Sequence, residues 1–423
     1  MSHLLPLWMV GPLACGALLG ALGVGLRAQA APAPAPGWQF SGQVQQGFDS
    51  NVLVSPTHPE SDATTQLLLS LGRKWTGPGW SFSAAYLPEA ETFARHTSLG
   101  YVAQSYRQDW QYALGRHTRL SWTANAARYP ERGGAPGMAA GGQTANLAMA
   151  LGSVLSNASS TLTLSHQYSL RASWSAGVNG GVQAFSPDTS LLAQLPANTL
   201  APARSQSRIG GGSLGWSYRL SQRRTLQISA TDTEMWFTNP AQRLRYGNVQ
   251  VSLQQQLGSG YSLQLGAGPS WSWRLQRGPG AALANLPGQS YAANASLTHQ
   301  VGRSQYGLSW EHGVQAGTVP GGVTTDMLGL QYGLQWGQAW SGSLGLGRNA
   351  FTGQASAQAP PASQHQESLY ASGQLSYRIV NDWTLQVHAS FMTQAIPTSS
   401  PLLAQLRRLQ CSLGIAYQSG GAR

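Results

Sequence analysis

Tyr261-Ser-Leu-Gln-Leu-Gly-Ala-Gly-Pro-Ser-Trp-Ser-Trp273 alternates without a break between two sets of residues. Tyr261, Leu263, Leu265, Ala267, Pro269, Trp271 and Trp273 form an apolar set, and Ser262, Gln264, Gly266, Gly268, Ser270 and Ser272 form a set that is polar or lacks a side chain. A period of two puts successive side chains on opposite faces of an extended strand. This strand therefore has one apolar face and one polar face, and the polar face carries no charge. The same holds for Leu409, Cys411, Leu413, Ile415 and Tyr417 against Gln410, Ser412, Gly414 and Ala416, and for Leu328, Leu330, Tyr332, Leu334 and Trp336 against Gly329, Gln331, Gly333 and Gln335.

A soluble sandwich covers its exposed face with Lys, Glu, Asp and Arg, because soluble domains carry roughly 25% charged residues. Here the charged fraction is 9%. A polar but uncharged face on strand after strand fits a water-filled lumen, with the apolar face turned to lipid. The expected fold is all-β, a transmembrane up-and-down antiparallel β-barrel.

A recurring hairpin supports this reading. Tyr112-Ala-Leu114 leads through Gly115 to His117 into Leu120 and Trp122, Tyr218-Arg-Leu220 into Leu226 and Ile228, and Tyr377-Arg-Ile379 into Leu385 and Val387. Tight connections at Gly115 to Thr118, Ser221 to Arg224, Gly258 to Gly260 and Gly302 to Ser304 alternate with long ones. The long ones are expected near Asp49 to Ala63, Leu87 to Ser98, Tyr129 to Gln143, Ser186 to Arg204, Phe237 to Arg243, Arg274 to Gly288, Ala316 to Thr325, Ala350 to Ser363 and Ala395 to Ala404. Short turns at one end and long loops at the other is the pattern of outer-membrane barrels, with the short turns periplasmic. Prolines after Pro36 gather in or beside the long connections, where no ladder N–H is needed. Pro78 sits in a turn, and Pro269 inside a strand reads as a bulge or a distorted position. The count is about 18 strands, from Trp38 to Phe48 through eight hairpins to Leu406 to Gln418; ambiguity at Thr144 to Val154 and Pro88 to Arg95 leaves 14 or 16 open.

Residues 1–30 read as a secretory signal, an apolar run from Leu4 to Leu26 followed by the cleavage pattern Ala28-Gln-Ala30, and residues 31–36 as an Ala/Pro tether. Residues 37–423 form the barrel, with no length left for an N-terminal plug. The net charge of +11 consists of arginine apart from Lys74. Its scatter among turns and rims, with no basic helix and no aromatic platform, argues against nucleic acid.

Parity places few charges inside: Arg107, Asp109, Arg274, Glu311, Arg378 and Arg408, with His388. These are the candidate lumen groups for binding solutes, and Arg107 and Asp109, two residues apart on one face, are placed to pair. His166, His299 and His312 fall on the apolar face, where girdle placement beside aromatics explains them. No Ser or Asp can be assigned to them as an enzyme would require, so no catalysis is expected. Asp49, Asn51, Glu60 and Asp62 offer oxygen ligands for Ca²⁺ within one loop, although a solvated acidic loop is the simpler reading. The dispersed histidines call for no metal, and nothing calls for a cofactor.

The element Phe48-Asp-Ser-Asn-Val52 after the first strand, together with the repeated aromatic-x-Leu hairpins, resembles the uncharacterised β-barrel porin family of Gram-negative outer membranes. Some barrels with this first-loop element accompany exopolysaccharide systems. The resemblance implies an outer-membrane location, with lipid, lipopolysaccharide and the barrel assembly machinery as partners. It departs at the C-terminus, where Tyr417 is followed by Gln418-Ser-Gly-Gly-Ala-Arg423 instead of ending the chain. Three functions follow: a channel for small polar or anionic solutes, an export conduit for a secreted polysaccharide, or a structural or adhesive surface barrel filled by its own loops. Oligomeric state is not legible.

Overall fold

The computed structural model describes residues 37–53, 55, 59–131, 153–192, 204–238, 241–276, 288–315, 323–353, 365–380, 382–396 and 404–419. The expected signal and tether, and the Thr144 to Gly152 part of the ambiguous strand, lie outside them. The strands are β1 (Gly37–Asp49), β2 (Asp62–Gly77), β3 (Trp80–Phe93), β4 (Tyr101–Ala113), β5 (Thr118–Glu131), β6 (Ser153–Gln167), β7 (Ala172–Pro187), β8 (Ser205–Ser221) and β9 (Arg224–Thr238). They continue as β10 (Ala241–Gln256), β11 (Tyr261–Gln276), β12 (Gly288–Val301), β13 (Ser304–Gln315), β14 (Val323–Trp336), β15 (Trp340–Gly353), β16 (His365–Val380), β17 (Trp383–Ile396) and β18 (Ala404–Gln418). A 3-10 turn at Thr97–Leu99 and a short helix α1 (Thr189–Leu192) belong to connections.

Each strand pairs antiparallel with its neighbours in sequence, and β1 pairs with β18 from Ser41↔Gln418 to Asp49↔Gln410. The sheet is thus a closed 18-stranded up-and-down barrel. Closure leaves no sheet edge, which lipid would not tolerate. Residues directly opposite one another share a face, so the register carries one parity around the whole wall. Leu413, opposite Gln46 and Val387, is 53% exposed on the outer face, and Leu265, Leu330 and Leu344 are exposed there too.

Aromatics mark both borders of that face. Near the short turns Trp110 stacks on Tyr112, Trp216 on Tyr218 and Tyr261 on His299, while Tyr306 packs against Tyr332 and Trp340 against Tyr377. Toward the loops Trp271 meets Trp273 edge-on and Tyr291 stacks on His312. From Tyr261 to Trp271 is ten residues, or about 34 Å of strand at about 3.4 Å per residue. Tilted by about 45°, that spans about 24 Å, close to the about 25 Å apolar band of an outer-membrane barrel.

Two expected connections change, and one strand position is clarified. The Leu87 to Ser98 loop shrinks, because β3 runs through Pro88 to Phe93. Pro88 has no N–H to give, and the β2–β3 pairing lapses between Leu68↔Glu89 and Leu71↔Tyr86 while Pro88 stays opposite Gln104 on β4. The segment Phe237 to Arg243 is not a long loop: β9 and β10 remain paired out to Thr238↔Ala241. Of the two readings of Pro269, a bulge or a distorted position, the structure shows the second. The β10–β11 register is the same before and after it, with pairing lapsed only between Asn248↔Ser270 and Val251↔Ala267. Gly268 beside it is required by crowding, since a Cβ there would overlap the Val249 carbonyl oxygen. Real register shifts occur between Arg219 and Ser221 and between Arg378 and Val380, inside two of the aromatic-x-Leu/Ile hairpins. The extra residue in each, Leu220 or Ile379, tightens the twist entering the turn.

Candidate functional site

The lumen wall is built from the polar parity of each strand, and its side chains bond to one another across the barrel surface. Gln43 donates to Gln386 at 2.8 Å, Ser412 to Gln45 at 3.0 Å and Thr231 to Asn248 at 3.1 Å. Gln250 on β10 donates to Asn294 on β12 at 2.8 Å, passing over Gly266 of β11. A Cβ at Gly266 would meet the Asn294 oxygen at 2.2 Å, so glycine is what lets this bridge form.

At the long-loop end the Phe48-Asp-Ser-Asn-Val52 element is a clasp on the barrel seam. Asp49 accepts from Arg408 Nε at 2.9 and 3.1 Å and from Gln410 Nε2 at 3.1 Å, and also pairs with the Arg408 terminal nitrogen. Ser50 N–H donates to the Leu409 carbonyl and Leu409 N–H to Ser50 Oγ. Asn51 donates through its amide to the carbonyls of Ser55 and Arg407 and accepts the Ser55 N–H, closing a turn on itself. Asp49 and Arg408 are only 2% and 7% exposed. Asp49 is therefore a buried, engaged carboxylate and not part of a freely solvated acidic loop.

Asp62 and Glu60 are engaged in the same way, by His96. Asp62 accepts the N–H groups of Ala63, Arg95 and His96 and meets His96 Nδ1 at 2.9 Å, while His96 Nε2 lies 2.8 Å from Glu60. Burial pushes the Asp62 carboxyl up, but these donors outweigh it and hold it below 3.8. Burial likewise disfavours the charged His96, and its bonds to the two carboxylates outweigh that, raising it above 6.5. This latch holds the first loop against the β3–β4 connection. Val52 and Leu53 pack there on Phe93, Leu99 and Tyr101, and Phe93 and Tyr101 belong to the lumen parity through Thr64↔Phe93 and Glu91↔Tyr101. The first loop thus folds inward over the lumen. Beneath it a cavity of about 50 Å³ is lined by Asp49, Gln66, Glu91, Tyr101, His388 and Arg408, among others.

Burial of the lumen face continues around the loop end. Met235, Phe237 and Leu244 pack with Ile209 on β8 to β10, and Ser272, Thr325, Asn349, Gln394 and Leu406 are buried on β11 to β18. Near the short turns the lumen face is open: Gln111, Arg119, Gln256, Gln300 and Gln335 are exposed.

The candidate residues are spread over this wall. Arg107 pairs with Asp109 at 2.8 and 3.2 Å along β4. Arg408 and His388 line the same cavity. Arg274 lies opposite Leu244, Glu311 opposite Asn294 and Met327, and Arg378 opposite Thr384 beside a turn. They share the lumen face but not one site. Asp49, Gln66, Glu89, Glu91 and Tyr101 complete the loop-end cluster, with Gln66 and Tyr101 donating to Glu89 at 2.6 and 3.1 Å. Asp49 continues the parity of Gln45 and Gly47, a signal hidden when the segment is read as a loop. His166, His299 and His312 lie beside Trp174, Tyr261 and Tyr291 on the outer face.

No protein-family model and no curated protein sequence matches the chain. Among solved structures it is similar to the outer membrane protein OpdK of Pseudomonas aeruginosa, at 9% identity and a TM-score of 0.45 over 90% of this chain and 98% of that one. It is also similar to OccK2 (OpdF) of the same organism in complex with glucuronate, at 10% identity and 0.48 over 91% and 98%. The siderophore receptor PirA of Pseudomonas aeruginosa gives 10% identity and 0.44 over 91% and 80%. Scores and identities this low carry no argument, and the functional reading rests on this chain's own wall and loops.

Proposed function

We propose that the protein is a porin-like channel of the Gram-negative outer membrane for small polar or anionic solutes, constricted at its long-loop end by the inward-folded first loop. The observation that carries this reading is a lumen face made mostly of uncharged Ser, Thr, Asn, Gln and Gly, hydrogen-bonded from strand to strand, with few charges set into it. It runs from an open short-turn mouth up to the polar cavity between Asp49, Arg408 and His388. Hydroxyl and amide groups of this kind replace a solute's hydration without trapping it, and a charged constriction selects among solutes. The outer face supplies the lipid contact. Arg243 and Arg245, paired with Glu234 and Asp232 beside Trp273, offer guanidinium donors to lipopolysaccharide phosphates at the loop end.

A second reading, a barrel filled by its loops, is favoured by burial of lumen residues on so many strands at the loop end. Purified protein in planar bilayers separates the two. Discrete conductance steps support the channel, and a silent, correctly folded barrel supports the filled one.

A further inference from the structure

Charge is divided along the barrel axis. Of the fourteen Asp and Glu residues, all but Asp109, held by Arg107, and Asp382, in the β16–β17 turn, lie in loops or in the loop-ward halves of strands. At the other end the lumen face carries Lys74, Arg119, Arg219 and Arg378. The register places them there, because Lys74 is opposite Ser83, Arg119 opposite Ala113 and Ser165, Arg219 opposite Thr225 and Arg378 opposite Thr384. Arg119, Arg219 and Arg378 are exposed and Lys74 is half-exposed. None of the four has an ion-pair partner among the described residues. Three of them belong to the recurring hairpins: Arg219 and Arg378 stand between the aromatic and Leu or Ile before the turn, and Arg119 stands opposite Ala113, the equivalent residue of its own hairpin.

We infer that these four side chains form a cationic collar that concentrates small carboxylate- or phosphate-bearing anions at the short-turn mouth and gives the pore its anion preference. Lipid headgroups do not account for them, since their parity is that of Ser83 and Thr225, not that of the outward Tyr112 and Tyr218. Neutral partners opposite them leave the three guanidinium groups free for bidentate contact with a carboxylate or phosphate and the Lys74 ammonium free as a point charge. Rings of Arg or Lys are the means by which pores select anions. The collar acts over a Debye length, about 10 Å at 0.1 M salt, so its effect grows as salt falls. This inference rests on the channel reading for its transport consequence but not for its binding consequence.

Two measurements on the full barrel in detergent and in bilayers test it. The trisulfonated dye pyranine, followed by fluorescence polarisation at low salt, is expected to bind the protein and to lose at least tenfold in affinity when Lys74→Gln, Arg119→Gln, Arg219→Gln and Arg378→Gln are combined. A control set in the turns, Arg116→Gln, Arg171→Gln, Arg223→Gln and Arg303→Gln, should leave binding within twofold. In bilayers under a KCl gradient, the Cl⁻ to K⁺ permeability ratio should lie several-fold above one and fall toward one in the lumen set. Unchanged dye affinity, loss on the turn set equal to or greater than that on the lumen set, or unchanged selectivity in a conducting lumen variant overturns the collar. A barrel that binds dye through the lumen set yet never conducts keeps the collar and overturns the channel.

Discussion

The two ends of the lumen are made from the same strands and the same parity, yet they are physically different. At the long-loop end Asp49, Arg408, Leu244 and Leu406 are buried, and Asp49 is paired with Arg408. At the short-turn end Gln256, Gln300 and Arg378 stand in the open, and the cations lack partners among the described residues. Turns of a few residues have no chain to spare for covering the mouth, whereas the first loop has enough to fold inward and bring Val52 and Leu53 onto Phe93. The difference teaches that loop length, more than strand composition, decides where this barrel is narrowed.

The sharpest way to break that comparison is to remove one charge from each end. Asp49→Ala removes the buried carboxylate that accepts from Arg408 and Gln410 and should cost about 3–5 kcal/mol. Lys74→Gln at the open end should change stability by no more than about 0.5 kcal/mol. Guanidinium unfolding in detergent, followed by tryptophan fluorescence, measures both, and similar costs would erase the distinction between the ends.

A slightly smaller effect separates the lumen from the lipid face. Leu413→Arg should cost about 2–4 kcal/mol if that position lies near mid-membrane, and should reduce the heat-modifiable folded band on gels. Ser412→Arg, one residue away on the lumen side, should assemble and alter ion preference. If both assemble equally and conduct alike, the outer face is not meeting lipid.

Smaller again is the pH response of the latch. His96 is raised in the folded state, so its contribution is fully present below about pH 6.5 and is lost as pH rises through its folded value. Asp62 is lowered, so its contribution is present above about 3.8 and is lost as pH falls through its folded value. The latch is therefore strongest between them. Proteolytic nicking of residues 50–61 should increase from about pH 6 to about pH 9, and His96→Gln should flatten that rise. A pH-independent nicking rate in the unaltered protein would show that His96 does not hold the loop.

The last test costs the fold nothing. A tag inserted between Ala350 and Ser363 should be reached by antibody on intact cells and one at Gln222 should not, since short turns mark the periplasmic side. The opposite result would put the cationic collar at the outer mouth.

Much of the wall is legible in the order of residues. Alternation at Tyr261 to Trp273, the short turns at Gly258 to Gly260 and Gly302 to Ser304, and the pairing of Arg107 with Asp109 all follow from neighbours within one strand or hairpin. The misreadings have local causes. Pro88 suggests a loop, but β3 absorbs it by omitting ladder bonds to one neighbour, and the polar Phe237 to Arg243 stretch suggests a long connection where strand pairing in fact continues to Thr238.

The seam is of another kind. Asp49 and Arg408 stand 359 residues apart, and nothing near either residue indicates the other. Strand alternation is a property of the pleat, set by chirality and sterics at each residue, so the amino-acid order alone determined the two faces, the hairpins and the mostly uncharged lining of the lumen. Which lumen positions are buried, and which carboxylate meets which guanidinium, depends on closure of β1 on β18 and on where the first loop then comes to rest. Only tertiary structure decided those contacts, because they exist only once the last strand has found the first.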